Sequence, residues 1–113
     1  MTLGDVHWVD FAPKGGHAQA GRRPAIVVQD QKASARLPTI LVIPLTSQLD
    51  ALRFPGTVLI EADPDNGLRR PSVALVFQLT AIDKRYFSNR IGNVSRTVLD
   101  EIFSTLDELT GRT

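Results

Sequence analysis

The sequence predicts an α+β, mainly β fold in which about five short strands precede a single C-terminal helix. The chain has 8 glycines and 7 prolines, which are spread between short apolar runs. That spacing is typical of a small β-rich domain. From Ser95 onward the apolar residues recur instead at spacings of three and four, which indicates an amphipathic helix. We therefore expect a strongly curved sheet with the helix closing one side.

The N-terminal part is predicted to contain two strands and two connections. Residues Asp5–Phe11 carry apolar side chains at both alternating sets of positions, so the first strand is expected to bury both faces at least in part. The glycine-rich segment Ala12–Gly21 is predicted to be a loop. Ala25–Gln29 is β-branched enough for the second strand, and the polar segment Asp30–Leu37 is predicted to be mobile.

The third predicted strand is Thr39–Leu45, and it contains a proline near its end. Because proline cannot donate to a sheet ladder, Pro44 predicts a strand edge or a bulge. The chain is expected to leave the sheet at Thr46–Gln48, so two hydroxyl side chains follow a hydrophobic strand.

Two further strands are predicted at Gly56–Ala62 and Ser72–Ile82. The segment Asp63–Arg70 between them is predicted to be a turn region. Within it, Asn66-Gly67 is the strongest hairpin signal in the chain.

The C-terminal helix is predicted to begin at Ser95, a plausible N-cap, and to stop at Gly111. One stripe of the helix is apolar, which predicts that this stripe packs on the sheet. The stripe consists of Val98, Leu99, Ile102, Phe103, Leu106 and Leu109.

The composition of the chain excludes several kinds of chemistry. The 113 residues, which predict a single domain over 1–113, include no cysteine and only two histidines. Thiolate nucleophiles, disulfides and Cys-based metal sites are thus excluded, and a His-based metal cage is disfavoured. The longest apolar stretches, Ile40–Ile43 and Val73–Phe77, are far shorter than the roughly 20 residues of a membrane helix. With Asp5 and Asp10 near the N-terminus, no signal peptide is expected either, so the protein is predicted to be cytoplasmic.

The formal net charge of +1 conceals an uneven distribution of charge along the chain. Residues 14–36 hold five basic side chains and one acidic one, a balance of +4, whereas residues 100–113 hold one basic and four acidic ones, a balance of −3. This asymmetry predicts a basic surface that attracts a polyanion, and a separate acidic face. The alternative is a solvated mixed surface without a ligand.

The segment Gly15–Pro24 combines glycines with a concentration of hydrogen-bond donors. Glycines let the backbone approach a ligand closely, and the guanidinium groups of Arg22 and Arg23 match phosphate oxygens. Gln19 is a further donor, and His17 is a candidate for proton transfer because histidine as a residue type has an unperturbed pKa near neutrality. The alternative is a solvated glycine-rich turn with an inert histidine.

Thr46 and Ser47 form the second candidate site. Hydroxyl groups at the end of a hydrophobic strand are held in place and remain accessible, so they are well positioned to donate to a phosphate. The alternative is that both hydroxyls merely satisfy the backbone of the turn.

A series of motifs in order along nearly the whole chain resembles the MazF/PemK (Kid) family of toxin endoribonucleases. The motifs are Gly4-Asp5-Val6 with Trp8-Val9-Asp10-Phe11 and Pro13, Gln19-Ala20-Gly21-x-Arg23-Pro24-Ala25-x-Val27-Val28, Pro44-Leu45-Thr46-Ser47, Phe54-Pro55-Gly56, Ser72-Val73-Ala74, Gln78, Ile82-Asp83-Lys84 and Arg90-Ile91-Gly92. Several motifs in family order are far more specific than any one of them.

The resemblance implies a small SH3-like barrel of about five to six curved antiparallel strands with a C-terminal amphipathic helix, assembled as a homodimer. It implies a toxin of a type II toxin–antitoxin system that cleaves single-stranded mRNA by attack of the 2′-hydroxyl, without metal or cofactor. It further implies a MazE-like antitoxin whose acidic, disordered C-terminal segment covers the same surface, and DNA binding by the toxin–antitoxin complex.

The resemblance also implies roles for individual residues. Arg23 matches the family's catalytic arginine and would stabilise the pentacovalent intermediate, and Thr46 matches the catalytic threonine and would hold the scissile phosphate. His17 would contact RNA or help to transfer protons. The implied RNA-binding residues are Gln19, Arg22, Ser47 and Gln78.

The chain departs from the family pattern at four positions, one of which is Thr80, where the family often has a basic residue. Ala18 stands where the family usually has a glutamate, and Phe77 stands where it often has an acid. Leu75 aligns with an arginine that the Kid branch uses. The general base and general acid therefore remain open, whereas Arg23 and Thr46 are intact.

Two other functions remain as alternatives. One is a gyrase-poisoning toxin of the same fold, as in the CcdB branch, which depends on a C-terminal Trp-Gly-Ile. This chain ends Leu109-Thr110-Gly111-Arg112-Thr113, and its only tryptophan is Trp8. The other is a weakly active or inactive member that binds RNA and antitoxins, which is suggested by the departures at Ala18, Leu75 and Phe77.

Overall fold

The computed structural model describes residues 1–11 and 21–112, which form a curved antiparallel sheet and two helices. The strands are β1 (Asp5–Phe11), β2 (Gly21–Val27), β3 (Thr39–Thr46), β4 (Thr57–Ile60), β5 (Ser72–Leu75), β6 (Thr80–Asp83) and β7 (Phe87–Asn93). The helices are α1 (Gln31–Arg36) and α2 (Arg96–Thr110). Short 3₁₀ turns lie at Leu49–Arg53, Val76–Gln78 and Lys84–Tyr86.

The sheet follows the order β4-β5-β3-β2-β1-β7, and β6 pairs with β3 beside this path. The mainly β fold with a C-terminal helix is confirmed. The sheet has seven strands rather than five or six. No pairing joins β4 to β7 among the described residues, so the curved sheet remains open instead of closing into a barrel.

Strand β3 exchanges one neighbour for another along its length. Its first half, from Thr39 to Val42, pairs with β6, and its last two residues pair with β5. Pro44 lies between these two stretches and faces Ala25 of β2 on the other side. The missing N–H thus falls where β3 changes partners, and the strand continues to Thr46. The edge or bulge predicted at Pro44 is thus a change of partner within one strand.

The same exchange explains why the predicted strand Ser72–Ile82 is two strands. Leu45 of β3 pairs with Ala74 of β5, whereas Ile40 of β3 pairs with Ile82 of β6. A 3₁₀ turn at Val76–Gln78 connects β5, which pairs with the end of β3, to β6, which pairs with the first half of β3. Apolar composition alone shows no such interruption.

Strand β2 begins earlier and ends earlier than predicted. Arg22, Arg23 and Pro24 pair with Asp10, Val9 and Trp8 of β1, so residues that resemble the end of a loop belong to the sheet. The predicted loop 12–21 lies outside the described residues except for its last residue.

Two elements were not predicted at all. Strand β7 lacks a clear apolar alternation, and it is held by pairing with β1 and by an ion pair between Arg90 Nε and Asp5 Oδ1 at 3.0 Å. Helix α1 lies in the segment predicted to be mobile. The Asp30 side chain accepts a hydrogen bond from the Lys32 N–H at 2.9 Å, which caps this helix.

Apolar residues bury both faces of the central strands. On one face, Val6, Ile26 and Ile43 pack with Leu99 and Ile102 of α2. The second cluster covers the opposite face, and it consists of Val9, Phe11, Ala25, Val27, Ile40, Val42 and Ile82. Both faces of β1 are thus buried, as predicted.

Helix α2 has the predicted ends. The Ser95 Oγ accepts a hydrogen bond from the Val98 N–H at 3.2 Å, and Gly111 adopts the left-handed conformation with φ 75°. The apolar stripe faces the sheet through Leu99 and Ile102, which are buried.

The connection between β4 and β5 (residues 61–71) is anchored by a buried asparagine. The Asn66 side chain donates to the Glu61 carbonyl at 2.9 Å and accepts from the Leu68 N–H at 3.0 Å. The Asn93 N–H of β7 donates to the Asp65 carbonyl at 2.9 Å. The Asn66-Gly67 pair is therefore an anchor inside a longer connection and not the two-residue hairpin loop that its sequence suggests.

Gly67 is required at this anchor, and its substitution is expected to be costly. Gly67 has φ 70°, and a Cβ added to it would overlap the Ile91 carbonyl of β7. Gly67→Ala should lower the free energy of unfolding by about 3–5 kcal/mol, since a left-handed residue and a backbone overlap both penalise the folded state. Urea denaturation of the purified variant measures this change.

Gly21→Ala is the matched control. Gly21 has φ 84°, but a Cβ there would meet no atom of the described residues within 4 Å, so only the conformational penalty of about 1–2 kcal/mol should appear. Equal losses for the two variants would show that the connection yields to a side chain and does not pack tightly against β7.

Candidate active site

A cavity of about 580 Å³ opens where β2 begins and β3 ends. It is lined by Trp8, Arg22, Arg23, Pro24, Leu45, Thr46, Ser47, Gly67, Leu68, Arg69, Arg70, Ser72 and Ile91. A second hollow of about 390 Å³ shares Arg23, Thr46 and Ser47 with it and extends along the 3₁₀ turn that follows β3. The two together form one groove, and Arg23 and Thr46 lie at its centre.

The sheet register explains why Arg23 and Thr46 meet. Ala25 of β2 pairs with Pro44 of β3 in an antiparallel ladder. Continuing this register by two residues sets Arg23 across from Thr46. On the other side of β3, Thr46 pairs with Val73, so Ser72 and the chain preceding it reach the same end of the sheet. Three elements therefore meet at the groove.

The Thr46 hydroxyl is held by its own turn. Its Oγ1 accepts a hydrogen bond from the Gln48 N–H at 3.2 Å, and the residue is 7% exposed. An accepted bond fixes the oxygen and leaves the hydroxyl proton able to donate. The two interpretations of this hydroxyl are thus compatible: it satisfies the turn, and it lines the groove together with the exposed Ser47.

Arg22 is stacked against an aromatic ring at the groove. Its guanidinium carbon lies 4.6 Å from the centre of the Trp8 ring, a cation–π distance. Arg22 is exposed, whereas Arg23 is half-buried. Planar groups stacked in this way keep the edge of the guanidinium available for an anion.

Two more arginines reach the groove that the sequence reasoning missed. Arg69 and Arg70 lie in the β4–β5 connection and line the larger cavity. The sequence could have indicated them, because residues 69–71 repeat the Arg-Arg-Pro motif of residues 22–24. The segment that contains this second motif was interpreted only as a turn.

The charge count along the chain also assigned to one basic surface two residues that lie away from the groove. Lys32 and Arg36 belong to the basic segment 14–36, yet they lie on α1. Because α1 follows the far end of β2, these two residues are at the other end of the strand from Arg22 and Arg23. The groove takes its positive charge from Arg22 and Arg23 of that segment and from Arg69 and Arg70 of the β4–β5 connection.

Three arginines of the groove differ from five other arginines of the chain in that they form no ion pair among the described residues. In residues 1–11 and 21–112, arginines that form ion pairs with carboxylates lie elsewhere or on the rim, namely Arg53, Arg85, Arg90, Arg96 and Arg112. Within the same ranges Arg22, Arg69 and Arg70 form none. Among the described residues, no carboxylate lines the larger cavity, and the one that lines the second hollow, Asp50, is paired with Arg53 at 2.8 Å. A cleft lined by one sign of charge concentrates oppositely charged ligands.

The remaining predicted residues divide into two groups. Gln78 lies half-buried in the 3₁₀ turn after β5 and lines neither of the two cavities that form the groove. His17 and Gln19, together with the departure at Ala18, lie outside the described residues.

The positions where the family has an arginine and an acid carry apolar packing. Leu75 is buried in β5, and the exposed ring of Phe77 lies 5.9 Å from that of Phe54. Neither position supplies a titrating group to the groove.

These features define a small β-sheet protein with an arginine-rich groove suited to a phosphate backbone. The chain belongs to the family of PemK-like, MazF-like toxins of type II toxin–antitoxin systems, whose model matches residues 2–110. The resemblance seen in the sequence is thereby confirmed.

Individual relatives agree with this assignment. The chain is 32% identical to Endoribonuclease EndoA of Bacillus subtilis over 106 residues, which cover 94% of this chain and 90% of that protein. It is 30% identical to Endoribonuclease MazF6 of Mycobacterium tuberculosis over 103 residues, 90% of each chain.

Solved structures give the same result for the fold. MazF (Form-I) from Deinococcus radiodurans matches with a TM-score of 0.84 at 28% identity, covering 98% of this chain and 96% of that one. MazE-MazF (Form-II) from the same organism matches with a TM-score of 0.76 at 25% identity, covering 100% and 97%. No helix in the described part of this chain is long and apolar enough to span a membrane.

Proposed function

We propose that this toxin is an endoribonuclease that cleaves single-stranded mRNA in the cytoplasm and thereby stops translation and growth. The observation that carries the proposal is the meeting of Arg23 and Thr46 at the centre of a groove with an excess of positive charge. Relatives over nine-tenths of the chain are named endoribonucleases, which supports the same activity.

The proposed reaction is an internal transfer at phosphorus. The substrate 2′-oxygen forms a bond to phosphorus while the bond from phosphorus to the 5′-oxygen breaks. The products are a 2′,3′-cyclic phosphate and a 5′-hydroxyl. The 2′-hydroxyl loses its proton to a base, and the leaving 5′-oxygen gains one from an acid. Such a reaction requires stabilisation of the negative charge that grows on the phosphoryl oxygens.

Arg23 and Thr46 fit the electrostatic and positioning parts of this reaction. Arg23 supplies a permanent cation for the phosphoryl oxygens of the intermediate. Thr46 donates its hydroxyl proton to the scissile phosphate and holds it in line for attack. Arg23 belongs to β2 and Thr46 to β3, so the pairing of these two strands fixes their relative position.

The proposed RNA-binding residues surround this centre. Arg22 and Ser47 line the groove, which supports contacts to the RNA backbone. Gln19 and Gln78 are retained as proposed contacts on the resemblance alone. His17 is the candidate for proton transfer, because the chain has Ala18 and Phe77 where the family has acids.

The proposed protein partner is a MazE-like antitoxin with an acidic segment. The basic groove favours an acidic peptide for the same reason that it favours RNA, so the two would compete. The matching Deinococcus radiodurans structure is a MazE-MazF complex, which supports this partner. A homodimer of single-domain chains (residues 1–113) completes the proposal, with DNA binding by the toxin–antitoxin complex.

The alternatives are weighed by the same comparisons. Relatives named endoribonucleases favour RNA cleavage over gyrase poisoning. An inactive RNA- and antitoxin-binding member remains the second candidate, since Leu75 and Phe77 place no titrating groups at the groove.

Incubating the purified protein with a long single-stranded RNA in excess EDTA separates the three possibilities. Metal-independent fragments that end in 2′,3′-cyclic phosphate are expected. Intact RNA together with inhibition of gyrase supercoiling would support the gyrase alternative. Intact RNA without gyrase inhibition would support the inactive member.

A further inference from the structure

We propose that Arg69 and Arg70 form a second phosphate-binding wall of the groove, which holds the RNA strand beside the scissile phosphate. The inference rests on the proposed function for the identity of its ligand. It concerns the β4–β5 connection, which carries none of the proposed catalytic residues.

The strand order places this wall opposite the first one. In the order β5-β3-β2, the end of β3 lies in the middle. Arg22 and Arg23 begin the strand on one side of it, and Arg69 and Arg70 directly precede the strand on the other. Thr46 therefore lies at the floor between two pairs of arginines, all of which line one cavity.

The backbone that carries the second pair is fixed on both sides. The Leu68 N–H donates to the Asn66 Oδ1 at 3.0 Å, and Asn66 is 1% exposed. After the pair, the Ser72 Oγ donates to the Arg70 carbonyl at 3.3 Å. A fixed backbone with two long exposed side chains suits a flexible polyanion, because little backbone entropy is lost when the ligand binds.

The ion pairs among the described residues do not include Arg69 or Arg70, whereas five other arginines form such pairs. The resemblance also expects a cation at the position of Leu75, which is buried here. The preceding connection thus supplies the positive charge that β5 lacks.

A binding experiment tests this wall independently of catalysis. The probe is a fluorescein-labelled 20-nucleotide oligonucleotide of mixed sequence with 2′-O-methyl riboses, which cannot be cleaved by 2′-hydroxyl attack. Its Kd is measured by anisotropy across a series of salt concentrations. Each phosphate contact with a single strand contributes about 0.7 to the slope of log Kd against log salt.

The double variant Arg69→Ala/Arg70→Ala is expected to reduce that slope by about 1.4 and to weaken binding at low salt on the order of tenfold. The control Arg36→Ala/Arg85→Ala changes the net charge equally on exposed arginines that do not line the groove. The control should keep both the slope and the Kd of the wild type. Arg69→Lys/Arg70→Lys should restore most of the slope, because it restores the charge.

Several results would overturn the inference. One is an unchanged slope in the alanine variant, another is an equal loss in the control, and a third is wild-type protein that does not bind the probe. A fourth is an alanine variant that binds polyglutamate more weakly than the wild type does but binds the probe equally well. That result would assign the wall to an acidic polypeptide.

Cleavage of unmodified RNA in EDTA is measured in parallel on the wild type. If the wild type binds the probe through this wall but leaves RNA intact, the proposed activity fails and the wall stands. If the wild type cleaves RNA and the alanine variant keeps the wild-type slope, the wall fails and the activity stands.

Discussion

Arg23→Ala is expected to abolish detectable RNA cleavage, with a loss in kcat on the order of 10³-fold or more. Arg23 lies at the junction of the two cavities and is the half-buried member of the arginine pair on β2. A cation held against the phosphoryl oxygens acts most strongly as charge accumulates in the transition state, so kcat should fall far more than KM rises. Single-turnover cleavage of a labelled RNA gives this difference directly.

Two further variants separate catalysis from general attraction. Arg36→Ala removes an arginine on α1 and should retain full activity, since that helix lies at the other end of β2. Arg23→Lys keeps the charge but loses the planar pair of donors, so activity should recover only in part. Cleavage by Arg23→Ala at the wild-type rate would remove Arg23 from the mechanism, provided that its thermal unfolding matches that of the wild type.

The sequence predicts well those elements that have a clear apolar pattern and clear ends. Helix α2 has the predicted bounds because its apolar period and its capping residues determine them, and strand β1 has them because its apolar run ends at a glycine-rich segment. Strand β7 has no such pattern. It exists because β1 offers it a partner and because Arg90 pairs with Asp5 across the two strands. Pairing over such a distance in the chain is invisible to a local pattern.

The candidate site was predictable in part for a related reason. Arg23 and Thr46 stood out because ordered motifs surround them, and the sheet register then brings them together. Arg69 and Arg70 reach the same groove only through the pairing of β5 with β3 and the anchoring of Asn66. Counting charge along the chain therefore selected Arg22 and Arg23 correctly, added Lys32 and Arg36 of α1, and overlooked the β4–β5 connection.

Thr46→Val is expected to reduce kcat on the order of 10²-fold while the fold is retained. Valine keeps the branched shape that β3 needs, so the change removes little but the hydroxyl. That hydroxyl oxygen accepts from the Gln48 N–H at 3.2 Å and so stands at a fixed place on the groove floor. Losing it should impair the alignment of the scissile phosphate more than the binding of the strand.

Thr46→Ser is the matched control, because it keeps the hydroxyl and loses only a methyl group. If the hydroxyl acts on the substrate, serine should retain most of the activity and the wild-type Kd for the 2′-O-methyl oligonucleotide. If the hydroxyl only supports the turn at Gln48, Thr46→Val should lower the unfolding midpoint in urea, and its kcat should match that of the wild type at temperatures where it is folded. The ratio of kcat between the valine and serine variants, measured where both are folded, decides between these roles.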